Sequence, residues 1–210
     1  MNSFFISLGG GNEIGASSYY LHIDGMNFLL DAGLRYVNRK RYPAFSELSK
    51  FQFIDGVNDL DAIFISHAHY DHNGALPLLV SKLVEKKDIF CSEYTKKFSE
   101  IQLNILKKKM GIPQYELYED VMVDRTLGMI KECPINQRVT NKEYNFTLYD
   151  SGHIPGATMI YLERGEKTVL YTGDFSDREY AITKRYNLPT IENLDLLIIN
   201  STYAHRKEEK

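Results

Sequence analysis

Apolar positions along this chain fall into two rhythms. Ser3 to Leu8, Ser17 to Ile23 and Met26 to Asp31 are short strand-like runs. The last two are separated by Asp24-Gly25, a dipeptide suited to a two-residue hairpin. Gly9-Gly10-Gly11 punctuates the first run as a turn. Asp61 to Ser66 is a compact apolar run with the character of a buried strand. The period then lengthens: between Gly74 and Glu85, Leu76, Leu79, Val80, Leu83 and Val84 share one helical stripe. Tyr94 to Met110 reads as a second helix, capped by Gly111 with Pro113 beyond it, and Asp120 to Ile130 as a third. Strand patterning returns at Phe146–Tyr149, Thr158–Leu162, Thr168–Tyr171 and Leu194–Ile199, with Arg164-Gly165-Glu166 marking another hairpin. Two strand-rich blocks around a helical middle predict an α+β domain with sheet packed on sheet and helices outside. Leu34 to Val57 reads as a long loop, a length that usually serves a site.

Composition adds bounds rather than a direction. A chain of 210 residues with 43% hydrophobic content suits one domain with an ordinary core. A formal net charge of −3 gives no global pull toward nucleic acid, so any phosphate-binding surface must be local. Cys91 and Cys133 form neither a disulfide framework nor a CxxC pair, and are expected to be buried, inert thiols in a reducing compartment. The N-terminus lacks the pattern of a secretory signal, and no apolar stretch approaches the ~20 residues of a membrane span. The expectation is a soluble cytoplasmic protein with no membrane partner.

The chemistry concentrates in Ser66-His67-Ala68-His69-Tyr70-Asp71-His72-Asn73-Gly74, which leaves a predicted strand and enters a predicted helix. In extended backbone His67 and His69 point the same way, and paired imidazoles suit a zinc-class ion. Asp71 and His72 follow where the chain turns and can serve a second ion. Ser151-Gly152-His153 and Thr172-Gly173-Asp174 also end strands. Alone, His153 would be a surface histidine and Asp174 a turn residue. Together they complete a set: His67, His69 and His153 on one metal, Asp71 and His72 on the other, Asp174 bridging. A carboxylate can span ions ~3.5–4 Å apart. Asp150 and Glu163 read as solvated strand-end charges.

With Leu29-Leu30-Asp31-Ala32-Gly33 and Tyr171-Thr172-Gly173-Asp174-Phe175-Ser176, these segments resemble the metallo-β-lactamase superfamily. Asn12-Glu13-Ile14-Gly15, Gly74-Ala75-Leu76-Pro77 and Ile199-Asn200-Ser201-Thr202-Tyr203 resemble its β-CASP branch, the RNA 3′-end-processing and ribonuclease J-like nucleases. The resemblance runs in order from about residue 6 to 203 and implies an αββα sandwich with metals at one edge. It implies that Asp31 orients the site from behind the ligands. Two departures stand out. Asn200 occupies a position where the branch usually carries an acid associated with proton transfer, and an amide cannot ionise. In the branch a cap domain follows, after which the chain returns to supply a last histidine. Residues 1–203 are therefore expected to be the hydrolase-domain portion and 204–210 a charged tail, with His205 a solvated residue and the cap and final ligand absent.

The expected activity is hydrolysis of RNA phosphodiesters, single-stranded rather than duplex, by two zinc ions (manganese or iron as substitutes) that acidify a bridging water to hydroxide. Asp71, Asp174 and Asp31 are the expected catalytic carboxylates. Arg35, Arg39 and Arg41, interleaved with Tyr36 and Tyr42 and joined by Lys40, are the candidate substrate contacts. Lys107-Lys108-Lys109 reads instead as complementing a helix dipole. Two other readings remain open: a thioester, ester or lactam hydrolase, and a non-catalytic or incomplete module completed by a partner polypeptide or homodimer.

Overall fold

The structure, a computed structural model, describes residues 3–35, 42–109 and 119–201. Chain order starts with β1 (Phe4–Gly9), β2 (Ser18–Ile23) and β3 (Met26–Leu30), an antiparallel meander. Asp24 and Gly25 both take positive φ (43° and 84°), the mirror-image turn the hairpin requires. From β3 the sheet continues in parallel through β4 (Ala62–Phe64), β5 (Asp88–Ser92) and β6 (Ile130–Cys133). Parallel neighbours need crossovers. The β4–β5 crossover carries α1 (Tyr70–Asn73) and α2 (Leu76–Ser81); the next carries α3 (Glu93–Lys109) and α4 (Asp120–Leu127).

The second sheet holds β7 (Arg138–Thr140), β8 (Asn145–Asp150), β9 (Thr158–Arg164), β10 (Lys167–Tyr171) and β11 (Leu196–Ile198), in the order β11-β10-β9-β8-β7. The β9–β10 hairpin turns at Gly165, φ 57°, where expected. Inner faces of the sheets meet in a core of Leu21, Phe28, Leu30, Phe64, Phe146, Leu148, Ile160 and Leu162. A second core lies between the first sheet and the helices, with Leu29, Ile63 and Ile89 against Leu76, Leu79, Val80, Leu103 and Val123. Helices α2, α3 and α4 pack there. The other helical layer of the expected αββα sandwich is not supplied by the described residues, and the β10–β11 crossover runs as irregular chain.

Several expectations shift. The helix predicted from Gly74 to Glu85 shortens to α2, Leu76–Ser81, with α1 a separate turn ahead of it at Tyr70–Asn73, and Val84 is 83% exposed rather than part of the stripe. The third helix stops at Leu127, because Ile130 already begins β6. Within Leu34–Val57, Phe45–Lys50 forms a 3-10 helix that buries Phe45 and Leu48. Gly111, Pro113, Lys40 and Tyr36 lie outside the described residues, as does His205.

Candidate metal centre

The site assembles where strands end on one edge of the sandwich. Asp31 follows β3, Ser66 to His72 follow β4, His153 follows β8, Asp174 follows β10 and Asn200 follows β11. The Asp31-Ala32-Gly33 segment fixes the histidine cluster through backbone. Ala32 N–H donates to the His72 carbonyl (2.7 Å), Leu34 N–H to that of Tyr70 (2.7 Å), and Ser17 N–H to that of Asp71 (3.0 Å). A side chain at Gly33 would overlap the Asp71 carbonyl, which is why glycine stands there.

Asp31 itself is fully buried, with a left-handed backbone at φ 62°. Its Oδ1 accepts from Ser66 N–H (2.7 Å). Its Oδ2 accepts from the Ser66 hydroxyl (2.7 Å), His72 Nδ1 (2.7 Å) and the Tyr171 hydroxyl (2.6 Å). This network sets tautomers. The Ser66 hydroxyl spends its proton on Asp31, so at the 3.0 Å contact with His67 Nδ1 the imidazole is the donor. His67 and His72 therefore both carry a proton on Nδ1, and each turns Nε2 toward the cleft.

Three imidazole nitrogens converge there. His67 Nε2 lies 3.1 Å from His69 Nδ1, and His153 Nε2 lies 3.2 Å from the same atom. With an Asp174 oxygen, the ligand atoms of the four residues all lie within 4.8 Å of one another. A tetrahedral ion with bonds of about 2.0–2.1 Å would separate its nitrogens by roughly 3.3 Å, so the donor set fits zinc-class coordination. Asp174 spans two groups. Its Oδ2 is 3.5 Å from His153 Nε2 and 4.0 Å from His67 Nε2, while Oδ1 is 3.5 Å from His72 Nε2. Asp71 Oδ2 stands 4.0 Å from His72 Nε2, on the second group. Asp71, Asp174 and His153 are each about a quarter exposed, so the cleft is open to solvent (27%, 26% and 27% of their side chains).

The charges respond accordingly. Burial, with His72, His69 and His153 alongside, holds the His67 pKa well below the usual imidazole range. His153 is lowered too, by burial acting against the pull of Asp174. Burial also disfavours the His72 cation, but the hydrogen bond and charge of Asp31, with Asp174 and Asp71 behind it, outweigh this and raise His72 to about 9.

Asp31, His67, His69, Asp71, His72, His153 and Asp174 are thus brought together. Arg35 is instead ion-paired with Glu13, and Arg39 and Arg41 lie outside the described residues. Glu163 is not simply solvated but accepts two hydrogen bonds from the Arg138 guanidinium (2.9 and 3.2 Å), and Asp150 accepts from Gly152 N–H (2.9 Å). Sequence reasoning passed over Ser66 and Tyr171, whose only signal was adjacency to the two motifs. Asn200 Nδ2 donates to Asp174 Oδ1 (2.6 Å), so the amide acts directly on a carboxylate of the cluster. Cys91 and Cys133 are free and buried, as expected; burial pushes the Cys91 thiol up, and that of Cys133 to about 11.

A family model described as a metallo-beta-lactamase superfamily domain matches residues 20–202. The chain belongs to the metallo-β-lactamase superfamily. It is 31% identical over 208 residues to cleavage and polyadenylation specificity factor subunit 3 of Dictyostelium discoideum, covering 96% of this chain and 26% of that protein. It is 30% identical over 204 residues to the endoribonuclease YSH1 of Yarrowia lipolytica, with 95% and 24% covered. The chain thus spans about a quarter of the length of these relatives. These names match the RNA-processing branch that its motifs resemble. Among solved structures, the metallo-beta-lactamase fold protein YhfI of Bacillus subtilis superposes with TM-score 0.52 at 20% identity, covering 85% of this chain and 65% of that one.

Proposed function

We propose that this chain carries a two-metal hydrolase centre acting on RNA phosphodiesters. The observation that carries the reading is the Asp174 carboxylate, with one oxygen toward His67 and His153 and the other toward His72. On this reading His67, His69 and His153 hold the first ion, Asp71 and His72 the second, and Asp174 joins them. Such a pair supplies a water that ionises near neutral pH and charge to neutralise a reacting phosphodiester. Asp31 holds both buried histidines with Nε2 toward the cleft, so the ring orientations are set before any ion arrives. To take up an ion, His72 gives up the Nε2 proton it carries below about pH 9. His67, fully buried and hard to protonate, keeps its Nε2 free of a proton over the widest pH range. RNA as substrate is supported by the names of the relatives, an endoribonuclease and a cleavage and polyadenylation specificity factor subunit. Zinc, with manganese or iron as substitutes, suits the nitrogen-rich set.

The test counts bound metal and follows cleavage of labelled single-stranded RNA, with a His69→Ala/Asp71→Ala double variant as control. Two metals per chain and cleavage at least 100-fold above the double variant are expected, since losing ligands removes the ions themselves. Less than one metal, with equal background cleavage by both forms, would sink the reading. Two metals with no RNA cleavage but turnover of a thioester would reassign the substrate.

A further inference from the structure

Helix α3 lies behind the metal-bearing loops and carries polar residues at helical spacing on one face: Thr95, Ser99 and Gln102, at i, i+4 and i+7. Thr95 and Ser99 are buried. Their bonds do not go to their own helix. With its amide turned to the one orientation that satisfies both neighbours, Gln102 bridges the two peptides that flank His69: Nε2 donates to the Ala68 carbonyl (2.8 Å), and Tyr70 N–H donates to Oε1 (2.6 Å). Asn73 Nδ2, beside His72, donates to the Ser99 hydroxyl (2.8 Å). At the helix start the Gly156 carbonyl accepts from the Thr95 hydroxyl (2.9 Å) and from that of Ser92 (2.6 Å). Gly156 belongs to the turn carrying His153, at φ 83°, and a side chain there would strike Tyr94 and Ser92.

One rigid element therefore grips both loops whose histidines meet across the cleft, His69 and His153, 3.2 Å apart. The two loops are 84 residues apart in sequence, and their strands belong to different sheets. A bidentate amide fixes the direction as well as the position of the His69 peptide, because both its flanks are held at once. We infer that Gln102 is a positioning residue for the metal centre: together with Thr95 it makes α3 a splint that sets the His69–His153 spacing and hence the affinity and geometry of the first metal position. This rests on reading His67, His69, His153 and Asp174 as a metal site.

Gln102→Met keeps the side chain's bulk and removes its hydrogen bonds; Gln102→Ala removes both. Glu100→Gln, at an exposed position of the same helix, serves as control. Each is measured for unfolding of the metal-free protein, for zinc dissociation constant by chelator competition, and for visible absorption of the cobalt-substituted form. Loss of a partner behind a ligand typically weakens metal binding about 10- to 100-fold. Gln102→Met is expected to weaken zinc by that factor and to shift the cobalt bands, with Glu100→Gln matching the wild type. Thr95→Val should act in the same direction through the His153 loop. Unchanged zinc affinity and cobalt bands in both Gln102 variants would overturn the inference, even if their metal-free stability falls. A wild-type protein that takes up no metal would overturn the metal-centre reading itself.

Discussion

Asp31 accepts the Nδ1 proton of His72 directly and orders that of His67 through Ser66, yet the two imidazoles titrate in opposite directions. His72, raised to about 9, contributes stability to the metal-free fold that is complete below about 6.5 and is lost as pH climbs through 9. His67, lowered by burial, contributes stability that is present above about 6.5 and lost as pH falls toward its folded value. Chelator-treated protein should therefore be most stable near pH 6.5, declining on both sides, as read by urea unfolding across a pH series. His72→Gln should flatten the alkaline limb. Stability still rising from pH 6.5 to 9 in the wild type would contradict the His72 assignment. The histidines themselves were legible in the sequence because three fall within six positions at a strand end. Ser66, Tyr171 and Gln102 were not, since a hydroxyl or an amide has no periodic signature and gains meaning only from what it touches.

The β2–β3 hairpin, the buried β4 and the long α3 were readable from period and turn chemistry alone. Gly25 gives that reading a number: its φ of 84° lies where a side chain meets its own carbonyl. Gly25→Ala should destabilise the fold by about 1–2 kcal/mol in chemical denaturation, leaving metal stoichiometry unchanged. A neutral result would mean that the turn relaxes to another type. What escaped the pattern were β5, β6 and β7, between three and five residues each. β5 and β6 are inner or crossover-fed parallel strands, whose pairing partners are distant in sequence. β6 shows only two buried positions, Ile130 and Cys133, too few for a period to register. The early end of α2 at Ser81 was hidden for a different reason. Leu83 lies beyond Ser81 yet is buried, so the apolar stripe runs on past the last helical residue.

The two sheets meet along an apolar interface, but at the site's edge they are also joined by polar bonds converging on one buried carboxylate. Asp31 and Ser66 come from the first sheet's strand ends and Tyr171 from the second's. Tyr171→Phe removes a hydrogen bond to a charged group without changing shape, and should cost about 1.5–3 kcal/mol of global stability. Equilibrium denaturation checks this; a loss under 0.5 kcal/mol, on the order of a surface change, would show that the bond does not brace the sheets. Sequence could place Asp31 beside the cluster only through the family's pattern, because its partners lie 35, 41 and 140 positions away. The same convergence bears on supply. On the proposed metal reading, protein bonds rather than an ion orient His67 and His72, so an ion could leave and be replaced without the chain refolding around its successor. Affinity for divalent ions then follows their intrinsic ordering, and the occupant is decided by which ion the surroundings deliver.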